Sequence, residues 1–277
     1  EQEQLVVNTK ALETYQSEED SPEDLEKIPV LKREDISRKI QPIINEEMRL
    51  ADVPVIFHEI ETNGIGYADI LFDMSDVQEE DLPYVGILQS ALGVIDTKKH
   101  GYGELFNEIN MHTGGIATSL ELYNDVTKVK EKEFKATFEI KTKALYDKLP
   151  FAFDMMGEIL TESCLDDTKR MKEILAMLKS RLLMKFQSSG HTTAALRALS
   201  YASPSAKLKD MTNGVDFFRK VDWLDTHFEE EKEHLSEKLK ELSVKLFRAD
   251  RMMLSYTAAG EGLKGFEKMV QSLKDRL

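Results

Sequence analysis

The stretch VPVIFHEIETNGIGYADILFDM, Val53–Met74, decides the class of fold. Val53–Ile60 and Ile65–Met74 are rich in β-branched and aromatic residues, which suit a pleated, half-buried surface. Between them stands Asn63-Gly64, the pair that most readily takes the left-handed angles of a two-residue turn. The reading is a β-hairpin, two strands joined tightly.

Downstream, the hydrophobic period changes from two to three-and-four. Val85, Leu88, Leu92 and Ile95 mark one face of a helix starting near Glu79. Leu105 and Ile109 mark a second helix, which stops at Gly114-Gly115. Ile116, Thr118, Leu120 and Leu122 then alternate as a strand. Phe134, Ala136, Phe138 and Ile140 alternate with Lys135, Thr137, Glu139 and Lys141, a strand with one wet face. Helical stripes follow at Phe151/Met155/Ile159 and Met171/Ile174/Leu175/Leu178/Leu182. Shorter helices are expected at Ala194–Tyr201 and Phe217–Leu224, separated by a Pro204/Gly214 loop. Phe228, Leu235, Leu239, Leu242 and Leu246 line a long charged helix. Met252, Leu254, Tyr256 and Ala258 read as a last strand, and Leu263–Leu277 as a closing helix. This order predicts an α+β fold, an antiparallel or mixed sheet with helices packed on one side.

Upstream, the character is different. Positions 1–35 carry eleven acids against four bases, half of the chain's net charge of −14. Ser21-Pro22-Glu23 reads as an N-cap, a first-position proline and a first-turn acid, and Pro29 ends that short helix. The expectation for residues 1–50 is an extended lead-in with one or two helical turns. The start, Glu1-Gln2-Glu3-Gln4, has neither the basic nor the apolar region of a signal peptide. Its lack of Met suggests a processed chain or a piece of a longer one.

Composition excludes some functions. With 37 basic and 51 acidic residues in 277, the chain lacks the positive balance that gripping a phosphate backbone requires. No stretch approaches the roughly 20 apolar residues that span a bilayer. Neither nucleic acid nor membrane is therefore an expected partner. A single cysteine, Cys164, excludes an internal disulfide framework and a thiolate zinc site, and suits a reducing compartment.

The side chains that carry chemistry form no catalytic pattern. His58, His100, His112, His191, His227 and His234 include no pair one helical turn apart, as a zinc helix needs. His227 and His234 are seven apart, roughly 10 Å along a helix, an awkward span for one ion even with Glu231 between them. His112 reads as a helix-end residue. Cys164 lies near Glu162 and Asp166, whose charge raises a thiol pKa, the wrong direction for a nucleophile. Gly260-Glu261-Gly262-Leu263-Lys264-Gly265 satisfies the dinucleotide fingerprint literally. That reading needs a following parallel strand and an acid about 20 residues on, and the chain stops twelve residues after Gly265. A strand-to-helix turn accounts for these glycines. The acidic pairs Glu79-Glu80 and Asp166-Asp167 and the run Glu229–Glu231 suit helix starts and solvated faces.

Tyr15–Pro29 (YQSEEDSPEDLEKIP), with Leu31 and Asp35-Ile36-Ser37, resembles the end of the central linker in the presequence-protease branch of the pitrilysin/insulinase zinc metallopeptidases. Thr62-Asn63-Gly64-Ile65 with Tyr67, Leu82-Pro83-Tyr84-Val85, His112-Thr113-Gly114-Gly115-Ile116 and Ser189-Gly190-His191 extend that resemblance along essentially the whole chain. The resemblance implies four homologous α+β domains in two halves, joined by a helical linker and closing like a clamshell on unfolded peptides. It places residues 1–50 at the end of that linker and residues 51–277 in the third, non-catalytic domain.

The same resemblance implies where the reaction occurs. In the family's first domain, the helix after the opening hairpin carries His-x-x-Glu-His, whose histidines bind zinc and whose Glu activates water. The matching helix here reads Gly86-Ile87-Leu88-Gln89-Ser90, with Gly and Ser at the ligand positions and Gln at the base. The family's substrate-clamping Arg and Tyr belong to the fourth domain. The expectation is thus no catalytic and no metal-binding residue in this chain, with zinc in the catalytic domain of the parent. Which residues bind substrate is left open. The implied role is chamber wall and peptide accommodation, with the parent's other domains and unfolded peptides as partners. Net acidity would favour basic peptides by long-range attraction, or serve solubility alone. The implied location is cytoplasmic for a bacterial parent and an organellar matrix for a eukaryotic one. The same fold also serves as catalytically dead scaffold subunits in larger assemblies.

Overall fold

The computed structural model describes residues 2–39, 42, 44–125, 127–128 and 133–277. The chain divides into two compact units, Glu1–Ile43 and Ile44–Leu277.

The first unit is more helical than its composition suggests. Helix α1 runs Gln2–Ser17, where an extended lead-in is expected, and none of its residues is buried. Helix α2, Pro22–Leu25, forms as the sequence indicates, with the Ser21 hydroxyl accepting from the Asp24 N–H at 3.1 Å. A single 3₁₀ turn follows at Arg33–Asp35, where Asp35 accepts from the Lys32 N–H at 2.8 Å.

The second unit holds a six-stranded mixed sheet. Its strands are β1 (Glu46–Leu50), β2 (Val53–Glu59), β3 (Ile65–Asp73), β4 (Ile116–Asn124), β5 (Phe134–Leu145) and β6 (Met252–Ala258). The spatial order is β1-β2-β6-β3-β5-β4. Among these strands only β2 and β6 run parallel.

The Asn63-Gly64 turn forms, but the hairpin does not. Asn63 and Gly64 take φ of 52° and 79°, and the Ile65 N–H bonds the Thr62 carbonyl at 3.2 Å. Strand β6 nevertheless lies between β2 and β3 and pairs with both. The connection therefore steps over one strand, about 9.5 Å at two inter-strand spacings. The actual hairpin is one strand earlier, β1 with β2, closed by Ala51 and Asp52 at φ 50° and 64°. Glu46–Leu50, assigned by sequence to the lead-in, is thus the sheet's edge strand. Its strained turn is held from outside: Lys274 donates to the Ala51 carbonyl at 2.7 Å, and Arg49 to the Asp52 carbonyl.

Helices cover one face of the sheet. They are α3 (Leu82–Ala91), α4 (Tyr102–His112), α5 (Leu149–Glu162), α6 (Thr168–Ser188), α7 (Gly190–Ser200), α8 (Pro204–Asn213), α9 (Val215–Thr226), α10 (Phe228–Leu246) and α11 (Phe266–Arg276). Helix α8 replaces the expected Pro204/Gly214 loop. Those two residues are its boundary marks: Ser203 caps it, Pro204 begins it and Gly214 follows its last turn. The core lies between the sheet and the helices. Val55, Phe57, Ala68, Ile70, Phe72, Leu254 and Tyr256 point into it from the strands. Tyr256 stacks on Phe266 at 3.8 Å between centroids, and its hydroxyl donates to the Gly262 carbonyl at 2.8 Å. Among the described residues, no helix is long and apolar enough to cross a membrane.

Candidate functional site

Helix α3 begins with Pro83 near its N-terminus, where the missing N–H costs nothing, and is apolar almost all round. Eight of its ten residues are buried, so it is packed on every side. Gly86, Gln89 and Ser90 fall at i, i+3 and i+4, one face of one turn.

Each of these three has a packing role. A Cβ on Gly86 would lie 2.7 Å from the Phe217 ring and 2.8 Å from the Thr212 carbonyl oxygen. Glycine is what lets α8 and α9 close against α3. The Ser90 hydroxyl donates back to the Gly86 carbonyl at 2.9 Å. Gln89 clips the helix to the edge strand β4. Its amide donates to the Thr118 carbonyl at 2.9 Å, and the Thr118 hydroxyl returns a bond to the Gln89 carbonyl at 2.9 Å. These residues do not fit zinc. One ligand position has no room for a side chain, and the other is a hydroxyl with its proton committed. The third group has no titratable proton with which to activate water.

A cleft of about 520 Å³ opens beside Gln89 and Ser90. Its other walls are β4 at Thr118–Leu120, α6 at Leu178–Lys185, Leu196 of α7, Lys209–Asn213 of α8 and Phe217 of α9. The α7–α8–α9 wall is fixed by one guanidinium. Arg197 reaches the buried Asp210 and the half-buried Asp216, each at 2.6 Å. The lining includes Arg181, Lys185 and Lys209 and, among the described residues, no carboxylate. Lys185 donates to the Asn213 carbonyl at 2.8 Å, and burial pushes its pKa down.

The histidines are dispersed. His227 Nδ1 meets the Trp223 carbonyl at 2.9 Å and its ring stacks on that indole, whereas His234 packs edge-on against Tyr84. His112 ends α4 with its ring on Phe151, 4.9 Å between centroids. His58 Nδ1 lies 3.0 Å from the Ile44 carbonyl. His191 is exposed in the first turn of α7. His100 belongs to a network absent from the sequence reading. Its Nδ1 is 2.7 Å from Glu158 Oε1, and Thr97 donates to the same oxygen at 2.5 Å. The Glu158 hydrogen bond raises the His100 pKa. For Glu158, burial pushes upward, but the bonds from Thr97 and His100 together prevail and lower it. The two residues are 58 positions apart, so no local spacing could have paired them.

No group of three or more His, Cys, Asp or Glu is placed to hold a metal ion, among the described residues. The Cys164 thiol is pushed up, first by burial and then by Asp166 and Asp96. The Gly260–Gly265 motif forms a 3₁₀ turn and the left-handed start of α11. A Cβ on Gly262 would meet Ala258 at 2.7 Å and the Tyr146 ring at 2.9 Å, so this glycine admits close packing against the protein itself.

Residues 1–224 match the family of regions associated with peptidases M16, subfamily C. The chain belongs to that family. It is 32% identical over 271 residues to the protein HypA of Clostridium perfringens, covering 98% of this chain and 27% of that one. It is 26% identical over 275 residues to presequence protease 1, chloroplastic/mitochondrial, of Arabidopsis thaliana, covering 99% and 25% respectively. The chain therefore spans about a quarter of the length of these relatives. Among solved structures, pitrilysin superposes with a TM-score of 0.55 at 16% identity, over 87% of this chain and 24% of that one. The peptidase M16 inactive domain of Pseudomonas fluorescens superposes with a TM-score of 0.54 at 14% identity, over 85% and 51%. The chain is a non-catalytic, peptidase-associated region of this family with an M16 peptidase-like fold.

Proposed function

We propose that this chain is the end of the linker and the third domain of a zinc-dependent metalloendopeptidase that degrades unfolded oligopeptides in a closed chamber. In this reading the catalytic zinc belongs to another domain of the same protein. The present region forms chamber wall and helps accommodate the peptide. The observation that supports it is the α3 turn, where Gly86, Gln89 and Ser90 serve helix packing and strand attachment in place of metal and water chemistry. A wall that packs tightly is what size exclusion by a closed shell requires, and opening then needs the two halves to separate.

The test is the reading frame upstream of Glu1. An upstream domain carrying His-x-x-Glu-His is the expected result. A frame without it would replace this reading with that of a catalytically dead scaffold subunit of the same fold. The purified chain should retain far less than one zinc per molecule and leave unfolded peptides intact. Chelator-sensitive cleavage by this chain alone would refute the proposal.

A further inference from the structure

We infer that the cleft beside α3 binds the carboxyl-terminal end of a peptide. The inference deepens the chamber-wall reading and rests on it. The first ground is charge. In a chain of net charge −14, the described lining of this cleft holds three cations and no acid. Elsewhere the basic side chains are commonly matched: Lys179 with Asp222 and Asp225, Lys238 with Asp81 and Glu241, Arg197 with Asp210 and Asp216. Arg181 and Lys209 have no carboxylate within ion-pair distance among the described residues, and Lys185 bonds only to Asn213, a neutral partner. Cations gathered in a low-dielectric hollow repel one another, and a bound anion relieves that repulsion.

The second ground is the direction of the hydrogen bonds. The neutral hydroxyls along the cleft have already given up their protons. Ser90 donates to the Gly86 carbonyl at 2.9 Å, Thr118 to the Gln89 carbonyl at 2.9 Å and Thr212 to the Leu208 carbonyl at 3.0 Å. The Gln89 amide nitrogen is likewise committed to Thr118, which leaves its carbonyl oxygen as an acceptor. The cleft thus offers donors from its cations and acceptors from its neutral groups. A fully ionised phosphate is an acceptor throughout and would leave that second set unused. A peptide's last residue carries both a carboxylate and an amide N–H.

The third ground is the apolar wall. Leu178, Leu182, Leu196 and Phe217 stand beside the cations. A volume of about 520 Å³ lies within the usual range for small-ligand sites, roughly 300–1,000 Å³. The arrangement suits a carboxylate on Arg181 and Lys209, with an apolar terminal side chain against the leucines.

The test compares one fluorescently labelled ten-residue peptide with an apolar last residue, as free acid and as carboxyl-terminal amide, by anisotropy at low salt. The 277-residue chain should bind the acid about tenfold more tightly than the amide. Added salt should narrow that ratio, because exposed charges are screened. Arg181→Gln with Lys209→Gln, both exposed positions, should bring the ratio near one. Lys240→Gln, outside the cleft, should leave it unchanged. Equal binding of acid and amide would overturn the inference while leaving the chamber reading intact. Inorganic phosphate displacing the acid at lower concentration than acetate or the unlabelled peptide would reassign the cleft to phosphoryl groups and overturn it too. Failure of both peptides to bind would remove the carboxylate site, and the upstream frame would then decide the chamber reading independently.

Discussion

Replacing Gly86 by alanine should destabilise the protein, although alanine is the better helix former. The propensity gain in a helix interior is about 0.8–1.0 kcal/mol. Against it stands a methyl carbon placed 2.7 Å from the Phe217 ring and 2.8 Å from the Thr212 carbonyl oxygen. Overpacking a tight core costs typically about 1–3 kcal/mol. The upper half of that range applies, because one obstacle is backbone and cannot rotate away. Phe217 is also fully enclosed, so its ring has nowhere to swing. The net expectation is a loss of about 1–2 kcal/mol, or roughly 2–8 °C in Tm for a domain of this size.

The control is Gly103→Ala in α4, where a Cβ meets nothing within 4 Å. That change should be neutral or stabilising by up to about 1 kcal/mol. Urea unfolding followed by circular dichroism measures both variants. Two variants of equal stability, or a Gly86→Ala protein more stable than wild type, would refute the claim that glycine is present for close helix packing. The stronger form is Gly86→His with Gln89→Glu and Ser90→His, which writes His-x-x-Glu-His into α3. This protein should unfold or fail to express and should gain no zinc. A folded variant holding one zinc per chain would show that the site was lost by residue identity alone.

His100 and Glu158 should stabilise the fold most between about pH 4.5 and 6.5, the ordinary values of the two groups. The raised His100 pKa contributes stability that is present below 6.5 and lost as pH rises through its folded value. The lowered Glu158 pKa contributes stability present above 4.5 and lost as pH falls through its folded value. His100→Asn should therefore lose most Tm relative to wild type near about pH 5.5 and less at about pH 8, and a flat difference across that range would count against the pair. Arg197→Leu leaves the buried Asp210 carboxylate without its partner and should cost about 3–5 kcal/mol in urea unfolding. The Cys164 thiol, raised above its ordinary value, should react with iodoacetamide at about pH 7.5 well below the rate of free cysteine.

Much of the helical layer is legible in the sequence because its stripes are long. Met171–Leu182 and Leu235–Leu246 repeat at helical spacing over successive turns, and burial follows that spacing. The sheet is legible as strands but not as neighbours. Alternation reports which face of a strand is buried and says nothing about which strand lies beside it. Asn63-Gly64 encodes a local turn. That β6, near the far end of the chain, should enter between the strands on either side is a property of the whole fold. Helix α8 escapes the sequence for a different reason. Ser203-Pro204 and Gly214 read as a single breaker, although the ten residues between them suffice for a helix. The first helix, α1, has no buried face to generate a stripe, so periodicity has nothing to detect. At the site, the identities of Gly86, Gln89 and Ser90 are visible in the sequence. The cationic cleft is not, because its residues come from six elements spread over positions 89–217.

The α3 turn and the cleft are two consequences of one set of residues. With no side chain at position 86, α8 and α9 can approach α3 closely, and Lys209, Thr212 and Phe217 arrive with them. With Gln89 held to Thr118, the edge strand β4 is fixed against the same helix, and its Thr118–Leu120 segment becomes the facing wall. Helix α6 closes the remaining side with Arg181 and Lys185. A zinc site in this place needs two imidazoles projecting from α3 into open space. Here the helix surface is occupied by packing on one side, and the hollow that remains beside it is bounded by cations. The charge of that hollow would repel a metal ion and attract a carboxylate, which makes the change of sign, more than the loss of ligands, the feature on which the role of this region turns.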